Sequence, residues 1–174
     1  FFSVKQHLVV LHESFRKILG KCSEVTLDTC EEAVYFKGDV DAFIIAVLSG
    51  LMLCCRDVRK RQDINIKLTA NGETFFIVTS MTPTPEERSD TKYLFANFGS
   101  TYDEQLTLQH FCENTGGHYM QGSVGNTVFC RIELPCCELS DSGIVLNSNK
   151  EQQESRYFNK YELLLARLRY YAYL

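Results

Sequence analysis

The 174 residues predict an α+β two-layer sandwich: a mixed, mostly antiparallel sheet of about five strands under three helices, then a C-terminal amphipathic helix. Three observations carry that prediction. Apolar residues recur at the helical period in some segments and fill another almost continuously. Short alternating segments of strand length lie between them. Two strand pairs are joined by Gly-containing turns compatible with hairpins, which makes antiparallel pairing the rule.

Val4 to Leu19 reads as the first helix, with Val4, Leu8, Leu11, Phe15, Ile18 and Leu19 near the helical period and Gly20 as a stop. Val25 to Cys30 alternates as a strand, and Ala33 to Phe36 reads as a second short one. Gly38-Asp39-Val40-Asp41 opens a long helix, with Asp39 or Asp41 able to cap its first turn. Ala42 to Cys55 is almost wholly apolar, which makes this the core helix. The basic tail Arg56 to Arg61 suits a helix C-terminus and reads as a solvated end.

Ile64, Ile66 and Leu68 alternate up to the hairpin turn at Asn71-Gly72. Glu73 to Thr79 is the return strand, and its continuous run Phe75 to Val78 predicts burial on both faces. Thr82-Pro83-Thr84-Pro85 breaks the pattern, and Glu86 to Ser100 is polar and irregular. Tyr102 to Asn114 is the third helix, with Leu106, Leu108, Phe111 and Cys112 inward and Gly116-Gly117 ending it. His118 to Gln121 and Thr127 to Leu134 form a last hairpin across Gly122 to Asn126, and Pro135 closes the domain. Residues 1–136 are thus one domain. The Ser-, Asn-, Asp- and Gln-rich stretch 137–156 is a linker. In 157–174, Tyr157, Tyr161, Leu164, Leu168 and Tyr171 form one apolar stripe.

Composition bounds the function. Hydrophobic residues are 45% and charged residues 23%, and 18 Lys and Arg against 22 Asp and Glu leave a net charge of −4. That balance argues against a general nucleic-acid binder. No apolar run approaches a membrane span and no signal peptide opens the chain, so the fragment reads as soluble, without membrane contact of its own. A start at Phe1-Phe2 without Met predicts a piece of a longer protein. Eight cysteines sit in apolar stretches and lack paired metal-ligand spacing, so they read as core thiols in a reducing cytoplasm, with no metal site. His12 reads as an exposed residue of the first helix. His7, His110 and His118 have no spaced partner that would suggest a triad or a metal.

Several local motifs, in order, carry a resemblance. They are Gly38-Asp39-Val40-Asp41, the helix around Val47 to Cys55, the hairpin Ile64 to Thr79, and Leu94-Phe95-Ala96-Asn97-Phe98. Glu113-Asn114-Thr115-Gly116-Gly117, Gly125-Asn126-Thr127-Val128-Phe129 and Glu133-Leu134-Pro135 follow. Over residues 2 to 136 this series resembles the ATP-binding catalytic (HATPase, GHKL-type) domain of sensor histidine kinases, in degenerate form. The resemblance implies the histidine kinase-like ATPase fold.

The family's nucleotide-pocket positions are another matter. The magnesium-holding Asn of the family falls on Cys54, and the Asn one turn earlier on Gly50. The adenine-binding Asp falls on Ser80 and the glycines that follow it on Thr82 and Thr84. The second glycine motif falls near Tyr102 and Glu104. A thiol suits a hard cation poorly, Thr tolerates neither positive φ nor close backbone approach, and Glu repels phosphate. No Asn lies in 42 to 62, no Asp between 64 and 89 and no Gly between 73 and 98, so a small slip in alignment restores nothing.

The resemblance therefore implies a cytoplasmic kinase-like domain of a two-component signalling protein whose parent can be membrane-anchored. Its catalytic residues are none, its expected cofactor none, and its role that of a pseudokinase scaffold. Its partners would be other domains of the parent and a response regulator, with homodimerisation open and no nucleic acid. Two alternatives remain. One is an active ATP- and magnesium-dependent histidine kinase with a pocket rebuilt from Ser80, Asp103 or Lys92. The other is an anti-sigma-like interaction module.

Overall fold

The computed structural model describes residues 1–19, 23–54, 62–84 and 102–137. The expectations for Gly20, the basic tail 56–61, the Phe motif at 94–98, the linker and the C-terminal helix lie outside the described residues.

The chain enters as strand β1 (Phe2–Ser3) and turns directly into helix α1 (Val4–Leu19). Val4, Leu8, Leu11 and Phe15 are fully buried, one per turn, so α1 lays a single apolar stripe on the core. It packs on β2 (Glu24–Asp28). Strand β3 (Tyr35–Phe36) pairs antiparallel with β1 through Phe2↔Phe36, and Val4 N–H donates to Val34 O at 3.0 Å beside it. The β1 strand has no sequence signature: two residues cannot show a period, and only the partner strand defines it.

Helix α2 (Val40–Cys54) begins where its cap predicts. The Asp41 N–H donates to Asp39 Oδ1 at 2.9 Å, satisfying one of the first-turn donors. It is buried almost all round because it packs on α3 (Tyr102–Thr115) as well as on β5 (Thr74–Pro83) and β7 (Thr127–Pro135). With β4 (Gln62–Asn71) and β6 (His118–Val124), the main sheet has the order β2-β4-β5-β7-β6. Only β2 and β4 are parallel; the other three pairs are antiparallel. The sandwich of three helices on a five-stranded mixed sheet is the predicted architecture. The β1–β3 pair sits beside it, where Phe36 meets the rings of Phe2, Phe43, Phe75 and Phe111 at centroid distances of 5.6 to 6.1 Å.

Four local expectations are corrected. Strand β5 continues through Ser80 to Pro83, because β4 pairs with it along that whole length and β7 as far as Met81. Pro83, at the strand end, is the first residue whose missing N–H matters. The run Phe75 to Val78 is not buried on both faces: Phe75 and Ile77 are buried, whereas Phe76 and Val78 are only half-buried on the face away from the described helices. The first hairpin turns on Gly72-Glu73, one residue later than Asn71-Gly72, since Asn71 pairs with Thr74 and Gly72 takes φ +60°. The second turns on Gly125-Asn126 alone, because Gly122 to Val124 remain in register with β7.

His12 is corrected as well. It is half-buried, and its Nε2 lies 2.8 Å from Val25 O, tying α1 to the edge of the sheet. His110 is exposed, as read.

Candidate functional site

The site to examine lies where α2 crosses β5 and β7. Gly50 of α2 faces the sheet there. A Cβ at that position would stand 3.4 Å from Cys130 Sγ, 3.5 Å from Thr79 Oγ1 and 3.6 Å from Ile132 Cδ1. Glycine inside a helix costs roughly 1 kcal/mol against alanine.

One turn on, Cys54 is buried and its Sγ is satisfied locally. It donates to Thr79 O at 3.4 Å and lies 3.7 Å from Thr79 Oγ1. Thr79 Oγ1 in turn donates to Cys130 O at 3.4 Å. Burial pushes the Cys130 thiol up to about 12, with the neighbouring Cys54 and Cys112 thiols adding to the effect. Burial alone raises Cys112 to about 11. A group of neutral thiols thus lines this crossing. Protonated thiols are weak donors in a dry environment, and a hard divalent cation wants several anionic or carbonyl oxygens instead. The donor set present does not fit magnesium.

The sequence-predicted residues divide into two groups. Gly50 and Cys54 stand together over Thr79 and Cys130. Ser80 and Thr82 do not join them. The alternation of β5 puts Phe75, Ile77, Thr79 and Met81 toward the helices and Ser80 and Thr82 on the opposite face. There Thr82 Oγ1 meets Thr127 Oγ1 at 2.7 Å. Thr84 follows the strand end, half-buried. Tyr102 begins α3, and Glu104 is buried on that helix, one turn before the fully buried Leu108.

Thr79 is the residue that sequence reasoning missed. The signal was available: Phe75 and Ile77 inward imply Thr79 inward, and therefore Ser80 outward.

The end of α3 is well formed. Gly116 adopts φ +71° and Gly117 N–H donates to Cys112 O at 3.0 Å, the reversal that closes a helix on a glycine. Gly117 lies so close to β7 that a Cβ would stand 2.6 Å from Glu133 O. The Gly-Gly pair is thus required by geometry. Among the described residues, no group of three or more His, Cys, Asp or Glu side chains is placed to hold a metal ion, and no helix is long and apolar enough to cross a membrane. Cys30, Cys54, Cys112, Cys130, Cys136 and Cys137 form no disulfide with one another.

This arrangement, with an apolar helix laid over the central strands of a five-stranded mixed sheet and a Gly-Gly-terminated helix beside it, is the fold of histidine kinase catalytic domains. Among solved structures, the mycobacterial sensor histidine kinase MprB superposes with a TM-score of 0.60 at 13% identity, covering 79% of this chain and 99% of that one. Full-length ShkA in complex with AMPPNP gives 0.62 at 12% identity, over 80% of this chain and 31% of ShkA. The histidine kinase ThkA in complex with the response regulator TrrA gives 0.61 at 14% identity, over 78% and 41%. At such identities the likeness is one of fold. No family model and no curated protein sequence matches the chain.

Proposed function

We propose that this chain is a kinase-like ATPase-fold domain of a two-component signalling protein that acts as a scaffold, a pseudokinase of GHKL type, and not as a phosphoryl-transfer enzyme. The observation that supports this most is Cys54. Where the family resemblance calls for a metal-holding Asn on the core helix, this chain has a buried thiol already engaged with Thr79. Gly50, one turn earlier, offers no side chain to a ligand, and the space a longer one would need is taken by Cys130, Thr79 and Ile132. Near the family's second glycine motif this chain has Glu104, whose buried side chain stands where a glycine would let backbone N–H groups cradle a phosphate. Ser80, Thr82 and Thr84 stand in for the family's adenine and glycine positions, and the faces taken by Ser80 and Thr82 do not favour a rebuilt pocket.

On this reading the fold is retained because it holds a surface in place. ShkA was solved with a nucleotide analogue and ThkA with a response regulator. The second kind of contact is the one we assign to this chain, together with other domains of a parent protein on the cytoplasmic side of the membrane.

Calorimetric titration of the purified chain with ADP and a non-hydrolysable ATP analogue, with and without magnesium, tests the reading. The expected result is no saturable heat up to millimolar nucleotide from a sample that unfolds cooperatively. Saturable micromolar binding would sink the proposal and reinstate an enzyme with unusual pocket chemistry.

A further inference from the structure

Of the six described cysteines, Cys54, Cys112 and Cys130 are buried, whereas Cys30, Cys136 and Cys137 are half-buried. The half-buried three come together at one corner of the sheet, although nearly the whole domain separates Cys30 from the other two in sequence. Cys30 falls in the loop 29–34 between β2 and β3. The pairing of β2 with β4 runs as far as Asp28↔Lys67, so the chain beyond Asp28 heads for the β4–β5 turn. The end of β7 reaches the same corner. Cys136 N–H donates to Glu73 O in that turn at 2.8 Å, and Cys137 N–H donates to Tyr35 O on β3 at 3.0 Å. Cys30 and Cys136 both pack, partly buried, against the one core. Burial pushes the Cys136 thiol up, and its neighbours Cys137, Cys30 and Glu32 add to the effect, which sets the three sulfurs around one spot. The Cys30 loop is held only at a few points. Lys5 Nζ donates to Cys30 O at 3.4 Å, Cys30 Sγ donates to Glu32 O at 3.6 Å, and Val4 N–H donates to Val34 O at 3.0 Å. Between these points no strand ladder fixes residues 29–34, so the loop can adjust to the narrow geometry that a disulfide demands.

We propose that Cys30 and Cys136 form a dithiol site for exchange with a low-molecular-weight disulfide, closing reversibly to a Cys30–Cys136 bond. In the first step the Cys30 thiol gives its proton to water, and its thiolate attacks one sulfur of R–S–S–R. A Cys30–S–S–R bond forms and RS⁻ leaves. Cys136 then loses its proton and attacks Cys30 Sγ, which makes the Cys30–Cys136 bond and expels a second RS⁻. The two protons end on the two RS⁻ as RSH, so the protein is oxidised by two electrons and the reagent is reduced by two. Cys136 acts second because its thiol ionises reluctantly, and by then its target sulfur is a neighbour within the same chain. Where thiols are kept reduced such a bond is transient, which suits a response and not a permanent staple. It ties the loop after β2 to the end of β7 and closes most of the domain into one covalent ring. Nothing in this depends on whether nucleotide binds.

The test treats the reduced full chain with hydroxyethyl disulfide, quenches with acid, alkylates the remaining thiols and maps the peptides by mass spectrometry. The expected main product links Cys30 to Cys136 within one chain, while Cys54, Cys112 and Cys130 are alkylated only after denaturation. The melting temperature should rise by roughly 5–10 °C, as closing a long loop predicts, and return on adding dithiothreitol. Cys136→Ser should trap the mixed disulfide on Cys30 and abolish the rise. Cys137→Ser should leave both the link and the rise unchanged. A mixed disulfide that persists on Cys30 in the unsubstituted chain would overturn the proposal, because it would show that Cys136 does not reach it. Links from Cys30 to any other cysteine, links between two chains, or a Cys30 that reacts only after denaturation would overturn it too.

Discussion

The two faces of the sheet differ in chemistry although the same strands build both. Toward the helices, β5 presents Phe75, Ile77, Thr79 and Met81, all buried, and β7 presents Cys130, Ile132 and Leu134. Away from them, β5 presents Phe76, Val78, Ser80 and Thr82, half-buried and mixed in polarity. The helix side is closed and largely apolar, with local polar links such as the one from Cys54 through Thr79 to Cys130. The open side carries rings, charges and side-chain bonds such as Asn65 to Asp28 at 2.9 Å. The difference teaches where a ligand could be accommodated. A crossing that is tightly packed and lined by neutral thiols suits structure, whereas the open side still has surface to offer.

The sharpest way to test the contrast is to remove bulk from each side. Phe36→Ala strips the ring around which Phe2, Phe43, Phe75 and Phe111 gather. Urea denaturation should show a loss of about 3–5 kcal/mol, the range for emptying an aromatic core position. Val124→Thr on the open side should stay within about 0.5 kcal/mol. Similar costs for the two would mean that the two faces are not distinct.

A smaller effect tests the join between α3 and the sheet. Gly117→Ala forces a methyl toward Glu133 O, where the space is 2.6 Å, and backbone cannot yield as a side-chain tip can. The expected cost is about 1–3 kcal/mol, read as a lower urea midpoint at unchanged slope. A neutral result would show that α3 is free to move off β7.

The third test is electrostatic. Burial raises Cys112 to about 11 and Cys130 to about 12, from 9.0 in the exposed state. Above pH 9 the unfolded chain gives up protons that the folded chain keeps, so stability is full below pH 9 and falls as pH rises toward 11. Each thiol contributes about 1.4 kcal/mol per pH unit in that window. Cys130→Ala should flatten the alkaline limb of a melting-temperature profile while leaving the share from Cys112. An unchanged limb would place the alkaline sensitivity elsewhere.

Much of this was legible from local pattern. The first helix spans Val4–Leu19 in the structure, as its apolar period predicts. Asp39 caps α2, and Gly116-Gly117 ends α3. Site residues were less legible. Cys54 and Gly50, singled out by their place on the core helix, stand one turn apart on α2 and both face Thr79. Ser80 was singled out by sequence position, but the strand's two-residue alternation turns it away, so that Thr79 takes the inner place.

What the sequence determined by itself was whatever a few neighbouring residues can enforce: helical stripes, caps, Gly turns, and strands long enough to show a period. Those signals act over one or two turns or a few alternations, within reach of local sterics and hydrogen bonding. Only the tertiary structure decided how the pieces beyond the two hairpins pair: β1 with β3, β2 with β4, and β5 with β7. It made a strand of Phe2-Ser3, carried β5 on to Pro83, drew His12 onto Val25 O and assigned each side of β5 its neighbours. The physical reason is that a hydrogen-bond ladder and a buried face are completed by residues far away in the chain, whose contribution outweighs local preference.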